Sequence, residues 1–533
     1  MSSNDSGHIF NLNEEQKILL REYWDALFNF FTITVDYSKC TTEEERVKER
    51  QKVIEGKLHK RSHANLDNSF DETGYSDCES PKVSTTPTTP IITKDIPSPN
   101  LESPVSPNSP SSPTKSEKNK TNKFTNFNRF LHKKSNSNIN SNESNETITS
   151  NSPPNNHYNI PHYKGLAEIK LDVDNILQSM KEEFFYMMSC DDPDSVALRF
   201  LRARKWNVNR AIKMTTACLQ WRIEWNVRAL LEIGEQGIDE EVFKSGKAFI
   251  FGKDKENRPI SFVRVRNHNK NTVPLFESEK FTMFLLETGR LSIKPPVEMC
   301  TIVFDMTDFS MNNMDYPYVK FVLNALQNYY PECLGICLIV NAPWIFNGCW
   351  KVIKPLLDPV VSSKVHFIKI EELKDYINED QLMKCYGGNN LYDYEYIPPS
   401  SEDIELEKKQ KGNDNEDKFK RIEEWRSITK EYEDITKEWI KKYKKLDKQF
   451  RAENYNNPDS LLKVEKGKDN PNVENIVIEN KDQLLKEAIE VDDKRKKISE
   501  KHKKIFSKLI PYLYTKTYYQ RVKTFDYVTE DEI

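Results

Sequence analysis

Cysteine, histidine and clustered charge are the residue types best able to do chemistry, and this chain holds nine cysteines and nine histidines. Their spacing argues against most catalysis. Cys333 and Cys337 flank three residues at the start of an apolar run with no histidine cluster to complete a metal site, and His268, in the stretch Arg266 to Lys270, reads as a surface loop. An isolated Cys or His is far more often structural than a nucleophile or ligand. No G-x-S-x-G, Walker A, H-E-x-x-H or G-x-G-x-x-G motif occurs. No catalytic residue and no metal site is assigned, and an enzyme is the least favoured reading. Scattered and odd in number, the cysteines suit the reduced thiols of a cytosolic protein.

Clustered cations are the other candidates. Arg199-Phe-Leu-Arg-Ala-Arg-Lys205-Trp206 packs four of them into seven positions; by pattern alone it reads as the solvated face of a helix. A second basic stretch, Lys115 to Lys134, carries seven Lys/Arg against one Glu, with Phe124, Phe127, Phe130 and Leu131 interleaved. It is either a solubilising tail or a surface for anionic membrane, where each cation contributes about 1 kcal/mol. Phosphates on neighbouring Ser-Pro sites would weaken that attraction.

The elements that must position these residues follow from composition and periodicity. At 533 residues the chain exceeds one domain, and 37% hydrophobic with 30% charged residues is polar for a fully folded protein. The net charge of −4 gives no global positive field for nucleic acid. Apolar runs such as Ile336 to Val340 are too short to span a bilayer, and the polar start, Met1 to Asn11, has no signal-peptide pattern. Leu12 to Phe31 has the 3.6-residue spacing of an amphipathic helix, fading after Gly56. Residues 62–159 are Ser-, Pro- and Asn-rich, with Ser/Thr-Pro pairs at Thr86, Thr89, Ser98, Ser103, Ser106, Ser109 and Ser112; such a segment cannot bury enough apolar area to fold and is expected to be a disordered linker.

Order is expected to resume near Leu166. Asp194 and Ser195 can cap a short helix through Leu198 and Leu201, and Trp206 to Asn209 turns into a longer helix ending near Trp221 to Trp225. Strands are expected at Lys247 to Phe251, Pro259 to Arg266, Met299 to Met306, Gly335 to Asn341 and Val365 to Ile370. Helical patterns at Glu277 to Leu291, Tyr318 to Tyr329, Trp344 to Leu357 and Glu371 to Lys384 alternate with them, so the fold class is α/β with a largely parallel sheet. Residues 401–533 are highly charged yet periodic. Ile422, Trp425, Tyr432, Ile435, Trp439, Tyr443, Leu446 and Phe450 define one long helix; after a polar break (Glu453 to Asn475) a second spans Leu484 to Leu509, followed by an aromatic-basic tail, Pro511 to Tyr527. A helical appendage packed on the main domain explains this better than a free coiled coil, because aromatics replace Leu and no heptad is sustained.

Five separate matches, in order and at the right spacing, give the chain a family resemblance. Arg199 to Trp206, Asn328-Tyr-Tyr-Pro-Glu332, Asn341-Ala-Pro-Trp344, Leu357-Asp-Pro-Val-Val-Ser-Ser-Lys364 and Tyr386-Gly-Gly388 together resemble the CRAL-TRIO lipid-binding family, of the fungal phosphatidylinositol transfer protein type. The resemblance covers about Leu171 to Tyr392. It implies an N-terminal helical subdomain over residues 165–235, a sheet-and-helix lipid-binding domain over 240–400 and a charged helical extension over 401–533, with residues 1–56 as an N-terminal helix. Both terminal extensions resemble those of some fungal members and are expected to pack on the helical subdomain.

By the same resemblance, the phosphoinositol headgroup is held by Arg204, Lys205 and Lys364, with Glu332 orienting Lys364 or accepting from inositol hydroxyls; Arg199 and Arg202 stay structural. Arg supplies a planar fork and Lys a point charge, the donors a phosphodiester needs. Trp344 to Leu357 resembles the family's gating helix, with Trp344, Phe346, Trp350, Ile353 and Leu357 as gate and acyl-pocket residues and with Gly348 and Pro355 as places to bend. Two departures stand out. Val361 replaces the threonine that commonly precedes the headgroup lysine by three residues. The positions of the phosphatidylcholine pocket, a serine, a threonine and two tyrosines in the family, are Cys300, Ile302, Ile250 and Ser261. A quaternary ammonium is recognised by an aromatic cage, so weak phosphatidylcholine binding is expected and a nonpolar second ligand, sterol- or squalene-like, is the alternative.

A two-chain lipid exposes about thirty methylenes at about 0.8 kcal/mol each, a penalty of order 20 kcal/mol that a carrier's pocket removes. The expectation is a cytosolic, monomeric protein that exchanges phosphatidylinositol between membranes, touches intracellular membrane surfaces transiently, needs no cofactor beyond the bound phospholipid and binds no nucleic acid. Presentation of the lipid to a lipid kinase is implied by the resemblance alone. The rivals are a carrier or sensor of nonpolar lipid and an interaction scaffold.

Overall fold

The computed structural model describes residues 7–33, 45, 49, 52–53, 176–294, 296–412, 414–454, 460–462 and 480–524. The Ser-Pro linker with its basic stretch Lys115 to Lys134, the start of the helical subdomain at 165–175, most of the polar break and the last residues of the tail lie outside them.

The first helix, α1 (Glu14–Phe31), begins at a reciprocal cap. The Asn13 side chain accepts from the Gln16 N–H at 2.9 Å and Gln16 accepts from the Asn13 N–H at 3.0 Å. Its stripe, Tyr23, Trp24, Leu27 and Phe28 among it, is buried against α2 (Ile176–Met188), α3 (Pro193–Ala203) and α4 (Val208–Glu224). The cap of α3 differs from expectation. Pro193, which has no N–H to lose, occupies the first turn, and the Asp192 side chain accepts from the Asp194 N–H at 2.9 Å. Asp194 instead turns inward to accept from Trp24 Nε1 at 2.7 Å and Arg495 Nη1 at 2.8 Å.

Next come α5 (Val227–Ile233), α6 (Glu240–Lys244), β1 (Ala248–Lys253), β2 (Pro259–Arg264), α7 (Leu275–Leu291), β3 (Cys300–Asp305), α8 (Tyr316–Asn324), β4 (Leu334–Val340), α9 (Phe346–Ile353), α10 (Pro359–Ser363), β5 (Val365–Ile368) and the single turn α11 (Leu373–Tyr376). The five strands form one sheet in the order β1-β2-β3-β4-β5, with β1 antiparallel to β2 and the rest parallel, as the α/β pattern predicts. Alternation of side chains sends Phe249, Ile260, Phe262, Val303, Leu338 and Val340 to one face. The other face presents Ser261, Val263, Cys300, Ile302, Phe304, Cys337 and Ile339 to α7, α8 and α9.

The expected helix over Glu371 to Lys384 is absent. After α11, Ile377 is extended, and Leu373, Ile377, Leu382 and Met383 lie buried in the cluster on the first sheet face. A straight helix cannot lay four residues at this spacing along the strands; successive turns can. The strand expected through Arg266 ends at Arg264, where Val265–Asn267 turns into 3₁₀ geometry.

The extension consists of α12 (Ser401–Lys411), α13 (Glu416–Glu453), α14 (Lys481–Leu513) and α15 (Tyr518–Arg521). Pro511, expected in the tail, lies in the last turn of α14. Arg21 donates to both oxygens of Asp447 at 2.7 and 2.5 Å, tying α1 to α13, and Arg495 joins α14 to Asp194 and to Tyr432 at 2.6 Å. Tyr518 and Tyr519 are buried within the cluster on the first sheet face, where the Tyr519 hydroxyl accepts from the Ile250 N–H at 3.0 Å. The extension therefore completes the core of the sheet as well as that of the helices. Among the described residues no helix is long and apolar enough to cross a membrane.

Candidate lipid-binding site

The second sheet face and the helices over it border two apolar lobes, of about 120 and 180 Å³. Val263, Ile302, Phe304, Tyr318, Val322 and Leu326 line both, so the lobes share one wall. The larger lobe lies beneath α9 and is lined by four of the five expected gate residues, Phe346, Trp350, Ile353 and Leu357. Trp344 does something else: it is 84% exposed at the entry to α9, with Val360 (49%) and Phe367 (46%) as further exposed apolar side chains of the flanking segments. The smaller lobe is walled by Ile250, Ser261, Cys300, Ile302 and Cys333, which include all four positions where the family resemblance places a choline pocket. Burial pushes the Cys300 thiol up to about 12, so it remains a neutral wall atom at neutral pH.

One end of the sheet supplies the charge. Ala325–Tyr329 widens into a π-turn, the Tyr329 ring stacks on Trp221 at 4.2 Å, and the Tyr330 hydroxyl donates to Glu287 at 2.7 Å. Widened turns of this kind recur beside functional sites. They deliver Glu332 with a positive φ of 58°, 4.0 Å from the Lys364 ammonium. Lys364 Nζ donates to the Leu334 carbonyl at 2.6 Å. Of the four expected headgroup residues, the structure thus brings Glu332 and Lys364 together. Arg204 closes α3, its Nη1 donating to the Ala203 carbonyl at 3.1 Å, and exposed Lys205 follows with a φ of 50°. The described link from that loop to Glu332 runs through Arg202, where burial lowers the guanidinium against the pull of Glu298 and Glu332.

Sequence reasoning missed two contributors. Arg258 lies against Gly335, where an added Cβ would stand 2.8 Å from its Cδ and Nη1, so Arg258 and Lys364 flank the same Leu334–Gly335 peptide. Its approach requires a glycine in β4, and that glycine was the available signal. Glu298 is the second: burial opposes its ionisation, but the His8 hydrogen bond and the Arg202 charge hold its carboxyl down at about 2. Val361, in place of the expected threonine, turns its side chain into the lining of the larger lobe. Among the described residues no group of three His, Cys, Asp or Glu is arranged to hold a metal ion.

Comparison with known proteins fits this arrangement. The family model for the CRAL/TRIO domain matches residues 243–388, and that for the CRAL/TRIO N-terminal domain matches residues 163–216. The phosphatidylinositol transfer protein CSR1 of Eremothecium gossypii is 34% identical over 320 residues, covering 54% of this chain and 72% of that protein. The chain belongs to the CRAL-TRIO family. A CRAL-TRIO domain-containing protein of Schizosaccharomyces pombe, C3H8.02, is 43% identical over 264 residues, 48% of this chain and 58% of its own length. The phosphatidylinositol transfer protein PDR17 of Saccharomyces cerevisiae is 30% identical over 208 residues, 37% of this chain and 58% of that protein. The match thus spans under two thirds of the latter two relatives. The main CRAL-TRIO segment supplies every residue that lines the two lobes as well as Glu332 and Lys364, and the N-terminal segment carries Arg204 and Lys205.

Proposed function

We propose that this CRAL-TRIO protein is a cytosolic lipid exchanger whose cargo is phosphatidylinositol. The acyl chains enter the larger lobe as α9 lifts and widens it, and the phosphoinositol group meets Lys364, Glu332, Arg204 and Lys205. The observation that carries the reading is an apolar cavity lined by Leu334, Val361 and Val365 with the Lys364–Glu332 pair next to those residues in the chain, at the end of the same strands. The names of two relatives, both phosphatidylinositol transfer proteins, support the choice of cargo. α9 is the movable roof. Trp344 at its entry is the side chain that meets the bilayer while the lobe opens, because a tryptophan prefers the membrane interface. Transient membrane contact by a monomer and presentation of the lipid to a lipid kinase complete the reading.

The test is transfer of labelled phosphatidylinositol between donor and acceptor vesicles by the purified chain. Transfer well above the spontaneous rate is expected; a rate equal to the spontaneous one would reject the proposal. A second reading, carriage of a nonpolar lipid, draws support from the smaller lobe, where Cys300, Ile302, Ile250 and Ser261 stand at the choline positions without a ring and the aromatics present, Phe281, Phe304, Tyr318 and Tyr330, come from other positions. It predicts that a hydrocarbon or sterol loads in competition with phosphatidylinositol, and that phosphatidylcholine transfers poorly under either reading.

A further inference from the structure

Lys205 and Trp206 are consecutive residues with left-handed backbone, φ 50° and 64°. Residues with side chains adopt that conformation rarely, and two in a row persist only where the surroundings fix them. The Trp206 N–H is held by the Leu201 carbonyl at 2.7 Å, and its ring packs with Ile18 and Leu19 of α1 and with Leu462. Gly7 closes the other side. Its φ is +98°, and a Cβ there would stand 2.8 Å from Trp206 Cζ2.

The same N-terminal turn grips the neighbouring cation. Arg202 Nη1 donates to the Gly7 carbonyl at 3.0 Å and Nη2 to Glu298 at 2.9 Å, while His8 Nδ1 bonds the same Glu298 oxygen at 2.8 Å. Gly7 and His8 thereby join the end of α3 to the residue two before β3, across sequence separations of 195 and 290. The contact also sorts the four cations of this run. Arg199 is engaged by Asp191 at 3.1 Å and Arg202 by Gly7 and Glu298, and Arg204 and Lys205 follow directly in the loop whose backbone Trp206 anchors. The helix itself needs no such help, since Leu198, Phe200 and Leu201 are already buried.

We infer that Gly7 and His8, seated on Trp206, Arg202 and Glu298, form a latch that positions Arg204 and Lys205 for the lipid phosphate. The N-terminal segment is then a specificity-determining part of the headgroup site, acting through other residues rather than on the lipid. The inference rests on the headgroup reading proposed above.

The experiment uses the full chain with His8→Ala, Gly7→Val and His8→Gln, which retains an N–H donor for Glu298. Transfer is measured against the phosphatidylinositol content of the vesicles, alongside loading of a pyrene-labelled hydrocarbon and the thermal midpoint. The first two variants are expected to raise the content needed for half-maximal transfer at least fivefold. Maximal rate and hydrocarbon loading should stay as in the parent, the midpoint should fall only for Gly7→Val, whose strained φ of +98° and contact with Trp206 a side chain disturbs, and the half-maximal content of His8→Gln should return to within twofold of the parent's. An unchanged half-maximal content in both variants, or hydrocarbon loading that falls in parallel with transfer, would overturn the latch. Arg204→Ala separates the two levels. If it abolishes transfer while the latch variants do nothing, the latch alone fails; if it too does nothing, the headgroup reading fails with it.

Discussion

Replacing Lys364 by methionine removes the charged ammonium while keeping an unbranched side chain one atom shorter. One ammonium donor is engaged by the Leu334 carbonyl at 2.6 Å, and the nearest carboxylate, Glu332, is 4.0 Å away. An ammonium has three donors, so two remain for the lipid phosphate. A hydrogen bond to a charged group contributes about 1.5–3 kcal/mol, and at about 1.4 kcal/mol per tenfold the loss corresponds to about 10- to 150-fold in affinity for phosphatidylinositol. The lower end applies if water screens the site, and the Lys364 side chain is 21% exposed. The folded state should lose only about 1 kcal/mol, because a partly exposed pair 4.0 Å apart is weak. Vesicle transfer of phosphatidylinositol by Lys364→Met, with loading of a pyrene hydrocarbon as the control, reads the effect. Transfer within twofold of the parent, or hydrocarbon loading that falls equally, would refute the assignment of Lys364 to the headgroup.

Further outcomes follow from other parts of the molecule. Trp344→Ala removes a ring that is 84% exposed, so co-sedimentation with vesicles should drop several-fold while the thermal midpoint stays put; unchanged co-sedimentation would show that the ring does not meet the bilayer. Arg495→Met leaves the buried Asp194 carboxylate without its cation and should cost about 3–5 kcal/mol in denaturant unfolding, in line with other broken buried pairs. His502 is fully buried, and burial lowers its pKa from the ordinary 6.5 to about 4. The unfolded chain therefore takes up this proton first as pH falls, and stability should decline by about 3 kcal/mol between pH 6.5 and 4. His502→Gln should flatten that part of the stability profile, and a profile as steep as the parent's would rule His502 out as its source.

Periodicity made the sheet legible. Met299 to Phe304 and Gly335 to Val340 are short apolar runs between helical patterns, and both became inner parallel strands. The helical segments of the gate and extension were visible for the same reason, since stripes such as Trp425, Tyr432 and Trp439 must be buried somewhere. Glu371 to Lys384 misled because Leu373 and Ile377 stand one helical turn apart, while Leu382 and Met383 break that spacing, and only the sheet they pack on determines that they lie along a series of turns. Lys364 and Glu332 came from motif matches, and the structure adds their contact. Arg258, Glu298 and His8 stayed hidden because their roles depend on partners far along the chain, which no local pattern encodes. The Asp194 cap failed for a related reason: a carboxylate at a helix start can cap locally or serve a distant arginine, and Arg495 decided it.

On the proposed reading, the cavity beneath α9 is built for one phosphoinositol lipid. Lipid extraction and mass spectrometry of the full chain purified without detergent test it most directly. Close to one phosphatidylinositol per protein is expected, lost on Lys364→Met, with phosphatidylcholine a minor species. Protein that carries no stoichiometric lipid, or one whose bound lipid is indifferent to Lys364, would contradict it.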